Sequence, residues 1–157
     1  MKKKEIALSS TIAALYILLV VGLGPLSFNQ FQFRVANILL GIIPLAGLPA
    51  VFGITLGVLV GNISSPLGPI DMLSVIPSFL GCFAIYYLKK MSVLAGLTVY
   101  TIIVSIWVAF ILQYVLGFPY LETLFYLLIG VGTVTVGLGY ILYKALLKVG
   151  GKKLWHR

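Results

Sequence analysis

A set of polar and aromatic residues has side chains suited to binding a small polar molecule. They supply a guanidinium, amides, carboxylates and a phenol, which together donate and accept hydrogen bonds in several directions. In chain order they are Gln30, Gln32, Arg34, Asn37, Asn62, Asp71, Tyr120 and Glu122. The set predicts selective recognition of a solute and not its chemical conversion.

Catalytic residue types are scarce in this chain. Its only histidine is His156, and its three acids are Glu5, Asp71 and Glu122. None of the spacings typical of serine–lysine nucleophiles, zinc proteases or paired intramembrane aspartates occurs. The single cysteine, Cys82, excludes an intramolecular disulfide and a cysteine-based metal site. We therefore predict that the chain is not an enzyme and holds no metal or other cofactor.

The composition is typical of a membrane protein. Hydrophobic residues make up 61% of the 157 residues and charged residues 9%, whereas soluble proteins carry about a quarter charged residues. Long uncharged runs approach the ~20 apolar residues that cross a bilayer. The net charge of +8 lies almost wholly at the chain ends and in one connection, which indicates membrane topology and not nucleic-acid binding.

The apolar segments predict an all-α bundle of six transmembrane helices, formed as a single domain over residues 1–157. The segments are 6–24, 35–48, 50–62, 71–88, 92–116 and 122–147. Pro44, Gly47 and Pro49 favour a turn between the second and third segments, because proline removes a helical donor. The first segment is longer than the ~7–15 residues of a signal peptide's apolar region, which favours a transmembrane helix.

Charge distribution predicts that both chain ends lie in the cytoplasm. With six spans, all but one of the eleven lysine and arginine residues face inward, and only Arg34 faces outward, in agreement with the positive-inside bias. A single span over 35–63 would instead place Lys89, Lys90 and the basic C-terminal tail outside. The outward connections then hold nearly all of the polar set, which predicts recognition of an external solute at the plasma membrane.

Arg34 has two interpretations. Helical geometry would put Gln30, Arg34 and Asn37 on one face, and extended geometry would align Gln30 and Gln32 with Arg34. Either arrangement turns the guanidinium away from the neighbouring phenylalanines and favours a ligand contact. The alternative is an interfacial arginine that reaches the lipid headgroups.

The other external candidates also have structural alternatives. Asp71 and Glu122 each open a predicted helix, where a carboxylate interacts favourably with the helix dipole. They are therefore candidates for helix capping as well as for ligand binding. Tyr120 belongs either to the aromatic belt at the membrane interface or to a surface that stacks on a planar ligand.

Two sets of small residues predict close helix packing. Gly53, Gly57 and Gly61 share one helix face, which allows another backbone to approach inside the bundle. In the first helix, small residues at four-residue spacing are Ala7, Ser10, Thr11 and Ala14. This second face is a candidate for docking another membrane subunit, with packing inside the chain as the alternative.

A resemblance to a known family covers residues 30–82 and is clearest in residues 32–71, which read QFRVANILLGIIPLAGLPAVFGITLGVLVGNISSPLGPID. This stretch resembles the signature of the QueT family of queuosine-precursor transporters. The shared elements are Gln32-Phe33-Arg34, Ile43-Pro44, Gly53 with Gly57, Asn62, and Gly68-Pro69-Ile70-Asp71. The resemblance implies a substrate-binding S component of an energy-coupling factor (ECF) transporter, which binds a small-molecule ligand. Its implied partners are a transmembrane coupling subunit and two cytoplasmic ATPase subunits that use ATP.

Position 37 departs from the family pattern, which has a serine and a glutamate where this chain has Ala36 and Asn37. An amide both donates and accepts hydrogen bonds, so it suits a neutral ligand, or one carrying a carbonyl or nitrile. The resemblance implies a 7-deazaguanine ligand, and a different vitamin-like solute is the alternative. A non-transport membrane scaffold subunit also stays open. A stand-alone secondary carrier is disfavoured by the lack of an inverted repeat.

Overall fold

The computed structural model describes residues 2–28 and 33–150, and within these ranges every regular element is helical. The main helices are α1 Lys3–Gly22, α2 Val35–Ala46, α3 Leu48–Ser64, α4 Gly68–Leu88, α5 Val93–Leu116 and α6 Tyr120–Gly150. Over the described ranges, four helices (α1, α4, α5 and α6) are long and apolar enough to cross a membrane, whereas α2 and α3 are shorter. The predicted all-α membrane class is confirmed, and the number of spans stays a prediction.

The boundary between α2 and α3 follows from local backbone chemistry. Gly47 has a φ of 69°, a conformation that glycine adopts without steric strain. Pro49 lies in the first turn of α3, where its missing N–H has no helical acceptor to lose. The turn predicted from the sequence LAGLP therefore lies at Gly47.

Tight helical turns are concentrated around three residues of the predicted site. Arg34 immediately precedes a 3₁₀ segment over Val35–Ile42, and α3 ends in another over Asn62–Ser64. α4 begins with a third, Gly68–Ser74, which contains Asp71. Such segments are less regular than α-helix and expose polar backbone groups at helix ends.

The helices pack as a ring in the order α1, α3, α4, α5, α6 and α2, and α2 closes the ring against α1. The glycine face of α3 packs inside the bundle, as predicted, and the helix it contacts is α1. A Cβ added at Gly57 would lie 2.7 Å from the Cβ of Tyr16, so a larger residue there would separate the two helices.

α1 and α3 run in the same direction. Gly53, early in α3, faces Ser9, and Gly61, near the end of α3, faces Val20. The lysines at the start of α1 (Lys2, Lys3 and Lys4) therefore lie at the same end of the bundle as the α2–α3 turn. The last residues of α3 lie at the opposite end.

The other described lysines also lie at the end that holds the α2–α3 turn. A Cβ added at Gly47, in that turn, would be 3.6 Å from Cε2 of Tyr86, near the end of α4. Lys89, just after α4, lines a cavity together with Lys144 of α6. Arg34 instead contacts Asn62 at the opposite end. We refer to these two ends as the lysine end and the Arg34 end.

Candidate ligand-binding site

Arg34 is buried at its end of the bundle, with 6% of its surface exposed. Its Nη2 donates a hydrogen bond of 3.1 Å to Oδ1 of Asn62. Its Cζ lies 5.3 Å from the ring centroid of Phe28, which is a cation–π contact. An arginine that reaches the lipid headgroups would expose its guanidinium, so this burial argues against the interfacial interpretation.

A chain of hydrogen bonds leads from Arg34 across the bundle. Asn62 Nδ2 donates to the backbone oxygen of Asp71 at 2.9 Å, and Ser74 Oγ donates to Asp71 Oδ1 at 2.8 Å. Trp107 Nε1 donates in turn to Ser74 Oγ at 3.0 Å. We call these residues (Arg34, Asn62, Asp71, Ser74 and Trp107) the Arg34 network. The network ties the start of α2 to α3, α4 and α5.

Asp71 is part of this network and does not cap a helix. The residue in the N-cap position of its helical segment is Leu67, and no side chain makes a cap hydrogen bond there. Asp71 is 1% exposed. Its carboxylate is therefore held inside the bundle by Ser74 and is close enough to Arg34 for electrostatic interaction.

Asn37 lies beside the network and is connected to α1. The hydroxyl of Tyr16 donates to Oδ1 of Asn37 at 2.8 Å, and both side chains are buried. Tyr16 also lies close enough to the Arg34 guanidinium for electrostatic interaction. Because the Asn37 carbonyl accepts from Tyr16, its amide N–H groups are the donors that it offers to a further partner.

Two buried polar atoms of the Arg34 network have no hydrogen-bond partner among the described residues. They are Nε of Arg34 and Oδ2 of Asp71. Buried polar atoms are nearly always hydrogen-bonded, and leaving one unpaired costs ~1–3 kcal/mol. A ligand that carries an acceptor for the guanidinium and a donor for the carboxylate would satisfy both atoms.

A cavity of about 310 Å³ adjoins the network between the ends of α1 and α3. Its lining residues are Val21, Gly24, Pro25, Phe28, Ser64 and Pro66. Because the Phe28 ring also contacts Arg34, the cavity and the network share a wall. The volume is at the lower end of the ~300–1,000 Å³ range of small-molecule pockets.

The other predicted site residues lie elsewhere. Gln30 and Gln32 fall outside the described residues, so their role stays a prediction. Glu122 is exposed and accepts a 3.2 Å hydrogen bond from Tyr126. Tyr120 lines a separate, mostly apolar cavity of about 500 Å³ between α5 and α6, which Trp107 also lines. The structure thus brings Arg34, Asn37, Asn62 and Asp71 together, without Tyr120 or Glu122.

The sequence interpretation did not include three residues of this region, namely Tyr16, Ser74 and Trp107. Each carries a hydroxyl or indole N–H within an apolar helix. Such donors need a hydrogen-bond partner when they are buried. A hydroxyl or indole N–H within an apolar helix is therefore the sequence feature that could have indicated these residues. It identifies polar contacts inside a bundle, but it does not identify the partner.

The four small residues of the predicted docking face of α1 are exposed, on the side of α1 that faces away from α3. They are Ala7, Ser10, Thr11 and Ala14, and the Thr11 hydroxyl donates back to the Ala7 carbonyl at 2.9 Å. The buried residues of α1 include Tyr16 and Val20, which face α3. Docking of another subunit on the small-residue side stays a prediction.

These features define a polytopic α-helical membrane protein with a buried polar site at one end of its bundle. A family model described as the QueT transporter matches residues 6–148. The protein therefore belongs to the QueT transporter family, as its sequence predicted, and is a transporter and not an enzyme. No curated protein and no solved structure gives a significant match.

Proposed function

We propose that the protein is the S component of an ECF-type importer and captures a small nucleobase-like solute at its Arg34 end. The observation that carries the proposal is a pair of buried atoms without a hydrogen-bond partner among the described residues, Arg34 Nε and Asp71 Oδ2. The family restricts the function to transport. The sequence has no ATP-binding motif. We therefore propose that two ATPase subunits supply the energy through a transmembrane coupling subunit.

The proposed topology has six spans with both chain ends in the cytoplasm and the Arg34 end outside the plasma membrane. It is supported by the lysine end, which gathers the described lysines on one side of the bundle, as cytoplasmic sides do. The short α2 is part of this topology. Its first eight residues form 3₁₀-helix, which rises ~2.0 Å per residue against ~1.5 Å for α-helix. α2 therefore reaches further across the membrane than its length suggests.

The proposed ligand class follows from the two unpaired atoms and from the family resemblance. A 7-deazaguanine carries a carbonyl beside ring and exocyclic N–H groups. A guanidinium donates to such a carbonyl, and a carboxylate accepts from such N–H groups. The amide of Asn37 adds donors without a negative charge, which favours a neutral base over a cationic one. A different vitamin-like solute with the same donor and acceptor pattern is the second candidate.

Equilibrium binding to the purified protein tests this proposal. A panel of 7-deazaguanines and water-soluble vitamins should contain a compound that binds tighter than about 10 μM, which is ~7 kcal/mol of binding free energy. Asp71→Asn keeps the side-chain volume but removes the negative charge and replaces the Oδ2 acceptor with an amide donor. We expect it to weaken binding by at least roughly tenfold, the effect of ~1.4 kcal/mol.

Glu122→Gln is the matched control, because it makes the same chemical change at an exposed acid outside the network. It should leave the affinity unchanged. Equal losses in the two variants would place the ligand away from Asp71. A panel without any compound below about 10 μM would reject the proposed ligand class.

Subunit docking is tested by co-purification with the coupling subunit and the ATPases. Ala14→Leu adds bulk to the exposed small-residue side of α1 and should reduce recovery of the partner subunits while ligand binding is retained. Ala145→Leu makes the same change on an exposed position of α6 and should not. Equal recovery from both variants would show that the partners dock elsewhere.

Asn37→Glu tests ligand choice at the position that departs from the family pattern. A carboxylate there should shift preference toward a cationic base, because opposite charges attract in a buried site. The measurement is the affinity ratio of an aminomethyl-substituted to a nitrile-substituted 7-deazaguanine. An unchanged ratio would show that Asn37 does not contact the ligand.

A further inference from the structure

The lysine end holds a polar cavity of about 260 Å³ between the α4–α5 connection and α6. We call it the lysine pocket. Its lining includes Lys89, Ser92, Val93, Leu94, Tyr143 and Lys144. No step of the proposed solute binding uses it, because the Arg34 network lies at the opposite end of the bundle.

The two lysines of the pocket are held in place by aromatic rings. Lys89 Nζ lies 4.6 Å from the ring centroid of Tyr86, and Lys144 Nζ lies 5.4 Å from that of Tyr140. Cation–π contacts of this kind orient an ammonium group without neutralising its charge. The pocket therefore presents two positive charges from different helices.

Among residues 2–28 and 33–150, no carboxylate is paired with either of these lysines. The chain contains three acids in total. Asp71 is buried in the Arg34 network, and Glu122 lies in the first turn of α6, whereas Lys144 is near the end of that helix. Glu5 accepts a 2.7 Å hydrogen bond from the backbone N–H of Lys2. The acids of the described residues are thus engaged or distant, which leaves Lys89 and Lys144 suited to an anion from outside the chain.

The first residues of α5 line the same cavity, so the N-terminal end of this helix lies beside it. At the start of α5, the Ser92 N–H donates to Leu88, and the Ala95 N–H donates to the Ser92 hydroxyl. The N–H groups of Val93 and Leu94 come next to them in the first turn, where α-helices have no internal acceptors. Both residues line the pocket, so the helix dipole also favours an anion there.

We propose that the lysine pocket binds the phosphate headgroup of an anionic phospholipid. A phosphate oxygen cluster matches two ammonium groups and adjacent N–H donors. Lipid is the favoured source because the pocket lies where α4 ends and α5 begins. Met91, which lines it, is 84% exposed, and Tyr87, two positions before Lys89, is 68% exposed. Basic pockets between membrane helices are known headgroup sites. This proposal is independent of the transported solute.

Lipid binding to delipidated protein in neutral detergent tests the proposal, with thermal unfolding and native mass spectrometry as readouts. The probes are short-chain phosphatidylglycerol, phosphatidylcholine of the same chain length, and inorganic phosphate. Phosphatidylglycerol should bind best. Lys89→Gln/Lys144→Gln should weaken its binding by roughly 25-fold, at about fivefold for each lysine near a membrane surface.

The matched control is Lys90→Gln/Lys148→Gln, which removes the same charge from exposed lysines that do not line the pocket. It should weaken binding by less than about threefold, because only diffuse attraction is lost. Equal weakening in the two double variants would overturn the pocket. Equal binding of phosphatidylcholine would overturn the requirement for an anionic headgroup, and equal protection by inorganic phosphate would overturn the lipid assignment.

If the first double variant does not fold, the single variant Lys144→Gln replaces it, because this side chain is exposed. Its expected loss is about fivefold. An unchanged affinity for phosphatidylglycerol in Lys144→Gln would also overturn the proposal.

Discussion

The two ends of the bundle hold their cations in opposite ways. Arg34 is buried, hydrogen-bonded to Asn62 and close to the Asp71 carboxylate. Lys89 and Lys144 lie at the edge of an open cavity and rest on tyrosine rings. A guanidinium is weakly hydrated and offers donors in a fixed plane, whereas an ammonium is compact and strongly hydrated. The Arg34 end thus suits directional recognition, and the lysine end suits charge attraction.

The difference also predicts how each end responds to mutation. Removing one member of a buried charged pair leaves the other uncompensated, which is strongly destabilising. Removing an exposed charge has little effect on stability. Substitutions at the Arg34 end should therefore change stability and ligand binding strongly, whereas those at the lysine end should change mainly interactions with anions and have only small effects on stability.

The largest effect should come from Asp71→Ala. It leaves the buried Arg34 guanidinium without a nearby carboxylate, at an expected loss of ~3–5 kcal/mol in the free energy of unfolding. Asp71→Asn should lose less, because its carbonyl still accepts from Ser74. Unfolding in mixed detergent micelles measures both. Lys144→Ala should change stability little, and a similar loss in Lys144→Ala would remove the distinction between the two ends.

The next largest effect should come from the contact that supports Asn37. Gly57→Ala would place a Cβ 2.7 Å from that of Tyr16, and overpacking of this kind costs ~1–3 kcal/mol. Because Tyr16 donates to Asn37, ligand affinity should fall together with thermal stability.

Gly137→Ala is the matched control for Gly57→Ala, because no atom lies within 4 Å of a Cβ built at Gly137. Alanine should be neutral there or stabilise the helix by up to ~1 kcal/mol. A similar loss in both variants would show that glycine is needed for backbone freedom in general and not for the contact with α1.

The sequence predicted the features that depend on local chemistry. Gly47 lies at the predicted break because its positive φ and the adjacent Pro49 are local requirements. The glycine face of α3 follows from four-residue spacing within one helix. Arg34 and Asn37 are also local, since the Asn37 N–H donates to the Arg34 carbonyl in a 3₁₀ turn.

The partners within the site could not be predicted, because they depend on the order of helices in the ring. Ser74 and Trp107 are 33 positions apart, and Tyr16 and Asn37 are 21 apart. Nothing in the local sequence specifies that α5 packs beside α4, or that Trp107 lies level with Ser74 along the helix axes. The same reason explains Glu122. Asp71 and Glu122 both lie near the start of a helix, but Glu122 is exposed there whereas Asp71 is buried. The sequence alone does not distinguish these two environments.

A smaller effect should come from Trp107→Phe, which retains an aromatic ring but removes the donor to Ser74. The expected loss is about 0.5–1.5 kcal/mol, the net value of one hydrogen bond. A double-mutant cycle with Ser74→Ala isolates the contact, and its coupling energy should be of that size. Additive losses would show that this hydrogen bond contributes nothing to the Arg34 network.

The smallest effect should come from the protonation of Lys89 at the other end. Partial burial, and secondly the charge of Lys90, lower the pKa of the Lys89 amine. The unfolded chain therefore binds this proton more tightly than the folded chain does. The charged amine reduces stability at neutral pH, and the reduction disappears as the pH rises through the lowered pKa toward the ordinary lysine value of about 10.4.

Wild-type protein should consequently gain stability relative to Lys89→Gln as the pH rises toward about 10.4, and the gain should be smaller in a Lys90→Gln background. Thermal unfolding in neutral detergent measures it. Phosphatidylglycerol should abolish the gain, because a bound phosphate favours the charged amine and raises its pKa. Arg34 keeps its charge over this pH range, so the stability difference between wild type and Arg34→Gln should not change with pH. If it changes as the difference between wild type and Lys89→Gln does, the pH dependence does not arise from Lys89.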